Sequence, residues 1–189
     1  MTVTTVDGEF TATANVTVKE KAPILTGWVS DNDTWYYYKA DGQLAKGWLQ
    51  TGGKWYYLDP ENGSMQVGWK NVNGKWYYMN PSGAMRVGWL QNGGKWYYLN
   101  INTGAMQTGW VQSNGKWYYM NKNTGAMQTG WVQSNGKWYY LEASGAMAVN
   151  KWIGGKYYVR ADGAMLVNSW TPDGYYVGED GAWVKGASR

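Results

Sequence analysis

Trp131 and Trp138 stand seven residues apart, and Tyr139 and Tyr140 follow at once. The same arrangement recurs at Trp28 and Trp35, Trp48 and Trp55, Trp69 and Trp76, Trp89 and Trp96, and Trp110 and Trp117. An indole presents the best aromatic face for a cation. Trp and Tyr also keep a polar edge that can stay in water, which Phe lacks. The chain uses 15 Trp and 17 Tyr but a single Phe, which points to rings that stay partly at the surface. Other chemistry is scarce. Without His there is no imidazole base, no Ser-His-Asp system and no imidazole metal ligand. Without Cys there is neither a disulfide framework nor a thiolate site. Asp41, Asp59, Glu61, Glu142, Asp162, Glu179 and Asp180 fall mostly in turns, with no spacing that pairs two carboxylates for glycoside hydrolysis. The expectation is a binding chain rather than an enzyme, with no cofactor.

The elements that position these rings follow from a repeat. Its first tryptophans are Trp28, Trp48, Trp69, Trp89, Trp110, Trp131, Trp152 and Trp170, at steps of 20 or 21 residues and 18 at the last. Between the two tryptophans lie Asn73-Gly74, Asn114-Gly115 and Asn135-Gly136, or Gly52-Gly53 and Gly93-Gly94. Such pairs accept positive φ at both central positions of a type I′ turn, so each unit reads as a β-hairpin. With Asn135-Gly136 at the turn, Gln133 opposes Trp138 and Trp131 opposes Tyr140. Side chains alternate along a strand. Trp131, Trp138 and Tyr140 therefore share one face, and Val132 and Tyr139 the other. A second turn, such as Thr124-Gly125 or Ser144-Gly145, leads into a Gly-x-Met tail that closes most units. A lone hairpin is marginal in water, whereas stacked hairpins bury one another. The fold expected for residues 27–189 is all-β: a β-solenoid of about eight stacked β-hairpins.

Two diagonal indoles and a tyrosine from the next hairpin would make three walls, with a polarisable Met as a fourth. Such a box suits a quaternary ammonium, which is bulky, charged and unable to donate an N–H. The same periodicity would serve a purely structural aromatic core, and aromatic platforms also stack on pyranose rings. Single-stranded nucleic acid is disfavoured, because 17 basic residues against 13 acidic ones make no phosphate-tracking groove.

The stretch "GWVQSNGKWYYMNKNTGAM", residues 109–127, resembles the choline-binding repeat of pneumococcal and related surface proteins: Gly-Trp, a turn with Gly, Trp-Tyr-Tyr, then Gly-x-Met. The resemblance covers roughly residues 27–189. It implies sites between consecutive repeats that dock on phosphocholine of teichoic and lipoteichoic acids, in a secreted protein of the bacterial cell surface. Carried onto this chain, it places Trp28 and Trp35 with Tyr57, Trp48 and Trp55 with Tyr78, and Trp69 and Trp76 with Tyr98. It likewise places Trp89 and Trp96 with Tyr119, Trp110 and Trp117 with Tyr140, and Trp131 and Trp138 with Tyr158. The choice of the second tyrosine rests on the shared-face argument. Met65, Met85, Met106, Met127 and Met147 are the expected fourth walls. Repeats of streptococcal glucosyltransferases are similar too, which keeps glucan binding as the alternative. Those favour Tyr-Tyr-Phe, whereas Phe10 lies outside the array.

The last two units, residues 150–189, depart from the pattern. "NKWIGGKYYVRADGAM" lacks the second Trp and inserts a residue before Trp152, and the unit at Trp170 does likewise. They read as caps, so sites at Trp152 and Trp170 are not expected. The resemblance implies that C-terminal repeats can also mediate homodimerisation. Lys54, Lys75, Lys95, Lys116 and Lys137 precede the second tryptophan, either to discourage edge pairing or to attract a phosphate. Residues 1–26 lack the repeat aromatics and read as a linker or a remnant strand of an upstream β domain, with a boundary at Pro23. No signal peptide is apparent at the N-terminus, and no run is apolar enough for a membrane span.

Overall fold

The computed structural model describes residues 2–4, 11–13 and 24–187. Phe10 and the boundary expected at Pro23 lie outside the described residues. Strand β1 (Thr2–Thr4) pairs antiparallel with β2 (Thr11–Thr13). Eight hairpins follow among the described residues. β3 (Gly27–Asp31) pairs with β4 (Thr34–Tyr38), β5 (Gly47–Thr51) with β6 (Lys54–Leu58), β7 (Gly68–Val72) with β8 (Lys75–Met79), and β9 (Gly88–Asn92) with β10 (Lys95–Leu99). β11 (Gly109–Ser113) pairs with β12 (Lys116–Met120), β13 (Gly130–Ser134) with β14 (Lys137–Leu141), β15 (Lys151–Ile153) with β16 (Tyr157–Val159), and β17 (Ser169–Trp170) with β18 (Tyr176–Val177). The described residues form no helix. The chain divides into two compact units, residues 1–47 with 58–65, and residues 48–57 with 66–189.

Local chemistry sets each hairpin. The turn residues take the left-handed conformation that the sequence requires, as at Asn135 (φ 51°) and Gly136 (φ 74°). Gln133 faces Trp138 and Trp131 faces Tyr140, the register read from the turn. At the Gly that precedes the first Trp of a repeat, φ is also positive, 76° at Gly130. Where the C-terminal repeats insert a residue, Asn150 (φ 48°) and Asn168 (φ 42°) adopt this conformation, which Asn tolerates better than most residues.

Stacking is the work of the tails. In the second unit, Met85 bridges Met79 of its own hairpin, and its N–H donates to the carbonyl of Trp55 in the preceding hairpin at 2.7 Å. The N–H of Arg86 donates to Tyr78 at 2.8 Å. The same three contacts recur at Met106, Met127, Met147 and Met165. In this way the hairpin edge finds partners that it would otherwise lack. The second unit is thus a β-solenoid of stacked hairpins. In the first unit, the N–H of Met65 donates to the Trp35 carbonyl at 2.7 Å, and Leu44 takes the tail position held elsewhere by Met.

The core is narrow and regular. In the second unit Met79, Leu99, Met120, Leu141, Val159 and Val177, at the end of successive return strands, are fully buried, with tail alanines such as Ala105 and Ala126 buried too, and in the first unit Leu58 is fully buried. Met85, Met106, Met127, Met147 and Met165 each lie against the turn glycine of the next tail. A Cβ at Gly125 (φ 72°) would sit 2.4 Å from Sδ of Met106, whereas one at Gly115 (φ 74°) would meet open space. Both positions disfavour a side chain through φ, but only Gly125 adds a collision. Gly125→Ala is therefore expected to lower the melting temperature clearly more than Gly115→Ala. Equal losses in thermal denaturation would mean that backbone conformation alone accounts for the glycine.

Candidate functional site

Stacking brings aromatic side chains from neighbouring hairpins of the second unit into a series of cavities. In one of about 280 Å³, Trp89 and Trp96 of β9 and β10 meet Tyr118 of β12, Met127 of the following tail and Ser144 of the next turn. Trp89 stands edge-on to Trp96, with ring centres 6.3 Å apart at 84°, and to Tyr118 at 4.7 Å and 71°. A second cavity, of about 310 Å³, has Trp48, Trp55, Tyr77, Met85, Asn102 and Thr103 in its lining. A third, of about 360 Å³, is lined by Trp131, Trp138, Tyr157, Met165 and Asp180. The ring contacts repeat between these, with Trp69 5.0 Å from Tyr97 and Trp110 4.9 Å from Tyr139. Such volumes lie at the small end of ligand pockets.

The two tryptophans play different parts. The first is held. The indole N–H of Trp69 donates to Oδ1 of Asn92 at 3.1 Å, that of Trp89 to Oγ of Ser113 at 3.2 Å, and that of Trp110 to Oγ of Ser134 at 3.2 Å. Asn92 also donates to the Tyr78 hydroxyl at 3.3 Å. The second tryptophan is the open wall, 41% exposed at Trp96. Around the rings of the Trp48 and Trp89 cavities the polar neighbours are neutral side chains. The arrangement offers π faces with no charged side chain in the lining to compete, which suits a cation with a methyl shell.

Sequence models of the choline-binding repeat match residues 25–67, 66–108 and 107–152, and a second such model matches residues 146–183. The chain belongs to the choline-binding repeat family. Among solved structures it is similar to CbpJ of Streptococcus pneumoniae, with 44% identity and a TM-score of 0.78 over 85% of this chain and 58% of that one. It is similar to choline binding protein F of the same organism, with 43% identity and a TM-score of 0.75 over 85% and 58%. The modular autolysin LytC, also from S. pneumoniae, gives 30% identity and a TM-score of 0.68 over 83% and 37%. The chain thus spans under two thirds of the length of these structures. A comparison with curated proteins gave no match.

Within these choline-binding repeats, the tyrosine that closes each cavity is the first of the pair. Tyr77, Tyr118 and Tyr157 line cavities where Tyr78, Tyr119 and Tyr158 were expected. Likewise Tyr97 and Tyr139, rather than Tyr98 and Tyr140, reach the preceding hairpin's first tryptophan. The second tyrosine packs on the first tryptophan of its own hairpin: Tyr57 on Trp48 at 5.1 Å, Tyr78 on Trp69 at 5.2 Å, Tyr98 on Trp89 at 5.1 Å. Tyr119, Tyr140 and Tyr158 do the same on Trp110, Trp131 and Trp152, at 5.0, 5.2 and 5.5 Å. The shared-face argument holds inside one hairpin. A cavity, however, lies between two hairpins, so the wall given by the following hairpin comes from its opposite face.

Met85 and Met127 line cavities, and so does Met165, which was not among the expected walls. Met106 and Met147 occupy equivalent tail positions, bonded to Trp76 and Trp117. Trp28, Trp35 and Met65 lie in the first unit, with Trp28 edge-on to Tyr37 at 5.2 Å. The indole acceptors Asn92, Ser113 and Ser134 were missed. Their only signal was a short polar residue at the end of the outgoing strand. The C-terminal repeats also depart from expectation. Trp152, Gly155, Asp173, Tyr175 and Trp183 line a cavity of about 370 Å³, although the second tryptophan is missing there.

Proposed function

We propose that this chain is a non-catalytic targeting module that holds the choline groups of teichoic and lipoteichoic acids, and so retains a larger secreted protein at the bacterial cell wall. The observation that carries the reading is the recurrence of one cavity, two indoles closed by the next repeat's tyrosine and a methionine, in every other repeat from Trp48 to Trp131. Each cation–ring contact contributes about 0.5–1 kcal/mol when exposed and about 2 when desolvated. Three walls less the cost of association leave roughly 4 kcal/mol, a dissociation constant of about a millimolar. One cavity is weak, and repetition along a polymer compensates.

Choline chloride and tetramethylammonium are expected to change the intrinsic Trp fluorescence saturably in the millimolar range and to raise the melting temperature, because a ligand of the native state stabilises it. Dextran is the comparator. A response to dextran with none to either cation would replace this reading with glucan binding.

A further inference from the structure

The cavity at Trp152 keeps the plan of the others but changes its materials. Trp152 stands where the other repeats have the first tryptophan, and Tyr175, 5.9 Å away and edge-on, is the closing tyrosine. Trp183 takes the place of the methionine: its backbone N–H donates to Lys156 at 2.8 Å, as that of Met165 does to Trp138. Its ring stands edge-on to Tyr175 at 5.7 Å and 87°. Lys156 occupies the position of the second tryptophan, and its Nζ lies 5.0 Å from the centre of the Tyr157 ring, a wall of the neighbouring cavity. One indole wall is thus replaced by another on a different side.

The new material is a carboxylate. The indole of Trp152 donates to Oδ2 of Asp173 at 2.8 Å, where Trp89 and Trp110 donate to neutral serines. Hydrogen bonds from Thr171 and from Trp152 hold the Asp173 carboxyl below the usual carboxylate range, so it is ionised at neutral pH. A carboxylate has about four lone-pair sites, and the bonds from Thr171 and Trp152 leave about two of them for a further donor. Asp180 in the Trp131 cavity is also acidic, but its Oδ1 caps the turn through the N–H of Ala182 at 2.9 Å.

We propose that the cavity formed by Trp152, Tyr175 and Trp183 is a site for an ammonium ion bearing N–H groups, a protonated primary amine, with Asp173 as its hydrogen-bond acceptor. The proposal rests on the reading of these cavities as cation sites. A quaternary ammonium gains the π faces but has no N–H to give. A primary ammonium gains the same faces and adds a charge-assisted hydrogen bond.

The test follows the indole N–H signals of the full chain by ¹⁵N NMR during titration with ethanolammonium and, separately, tetramethylammonium. The Trp152 and Trp183 signals are assigned by Trp→Phe variants. Ethanolammonium is expected to shift these signals at concentrations about tenfold below those needed at Trp48 and Trp89, the difference made by one charge-assisted hydrogen bond. Asp173→Asn, which keeps an acceptor for the Trp152 indole, is expected to weaken ethanolammonium about tenfold there and tetramethylammonium less than about threefold. Equal weakening of both cations, or an ethanolammonium response at Trp152 no tighter than at Trp89, overturns the proposal. Tetramethylammonium at Trp48 and Trp89 reports on the choline reading separately, so the two failures are distinguishable.

Discussion

Replacing Leu99 by alanine is expected to cost about 2–5 kcal/mol of stability, the range for truncating a buried aliphatic side chain. The expectation comes from how little core there is. Leu99 is 0% exposed and stands in an array of single buried side chains, one from each hairpin of the second unit from Met79 to Val177, with Met79 and Met120 as its counterparts. It bridges Met106, whose Sδ in turn sits over Gly125. The surrounding backbone is pinned by tail hydrogen bonds at Met106 and Gln107, so the site can collapse only partly, and much of the cavity remains. Because repeat arrays hold together mainly through their nearest neighbours, the loss is expected to spread to both adjoining hairpins. Thermal and denaturant unfolding measure it, with Trp96→Ala as the contrast. Trp96 is an open wall, so its truncation is expected to cost far less stability while weakening choline binding. A Leu99→Ala protein as stable as the parent would mean that the aromatic faces, rather than the aliphatic array, hold the hairpins together.

Removing residues 88–129 is expected to reduce affinity for a choline-bearing polymer far more than in proportion to the sites lost. The deletion joins Val87 to Gly130, so a complete repeat again follows a tail, as Thr129 leads into Gly130 in the parent. Free choline should bind the Trp131 cavity as before, and the Trp48 cavity keeps Trp48, Trp55, Tyr77 and Met85 while losing only Asn102 and Thr103 from its lining. Polymer binding differs, because every bound cavity raises the effective concentration of the next choline group. Linked sites exceed single-site affinity by about 10²–10⁴, so losing two junctions should cost about tenfold or more. The measurement compares polymer and free choline binding in the parent and the deletion. A fall in polymer affinity in simple proportion to cavity number would refute avidity.

The amino-acid sequence by itself determined each hairpin. Asn135-Gly136 sets a two-residue turn, the turn sets the pairing of Trp131 with Tyr140, and strand alternation then assigns every side chain to a face. These are contacts within about ten residues, governed by φ and by pleating, so they are legible from residue types and spacing. The recurring pair of tryptophans was equally plain, but its spacing alone left a structural core and sugar stacking open beside cation binding, and the resemblance to the choline-binding repeat favoured the cation.

The tertiary structure decided what crosses between hairpins. The bond from Met85 N–H to the Trp55 carbonyl joins residues thirty apart. That bond sets which face of one hairpin meets the next. For this reason Tyr77 rather than Tyr78 closes the cavity at Trp48, and Asn92 rather than a solvent molecule receives the Trp69 indole. It also explains the cavity at Trp152. A missing tryptophan in the local pattern reads as a lost site, yet Trp183 enters from the following tail and Asp173 from the following turn. Stacking depends on where the tail hydrogen bonds place a whole hairpin, and no spacing within one repeat records that.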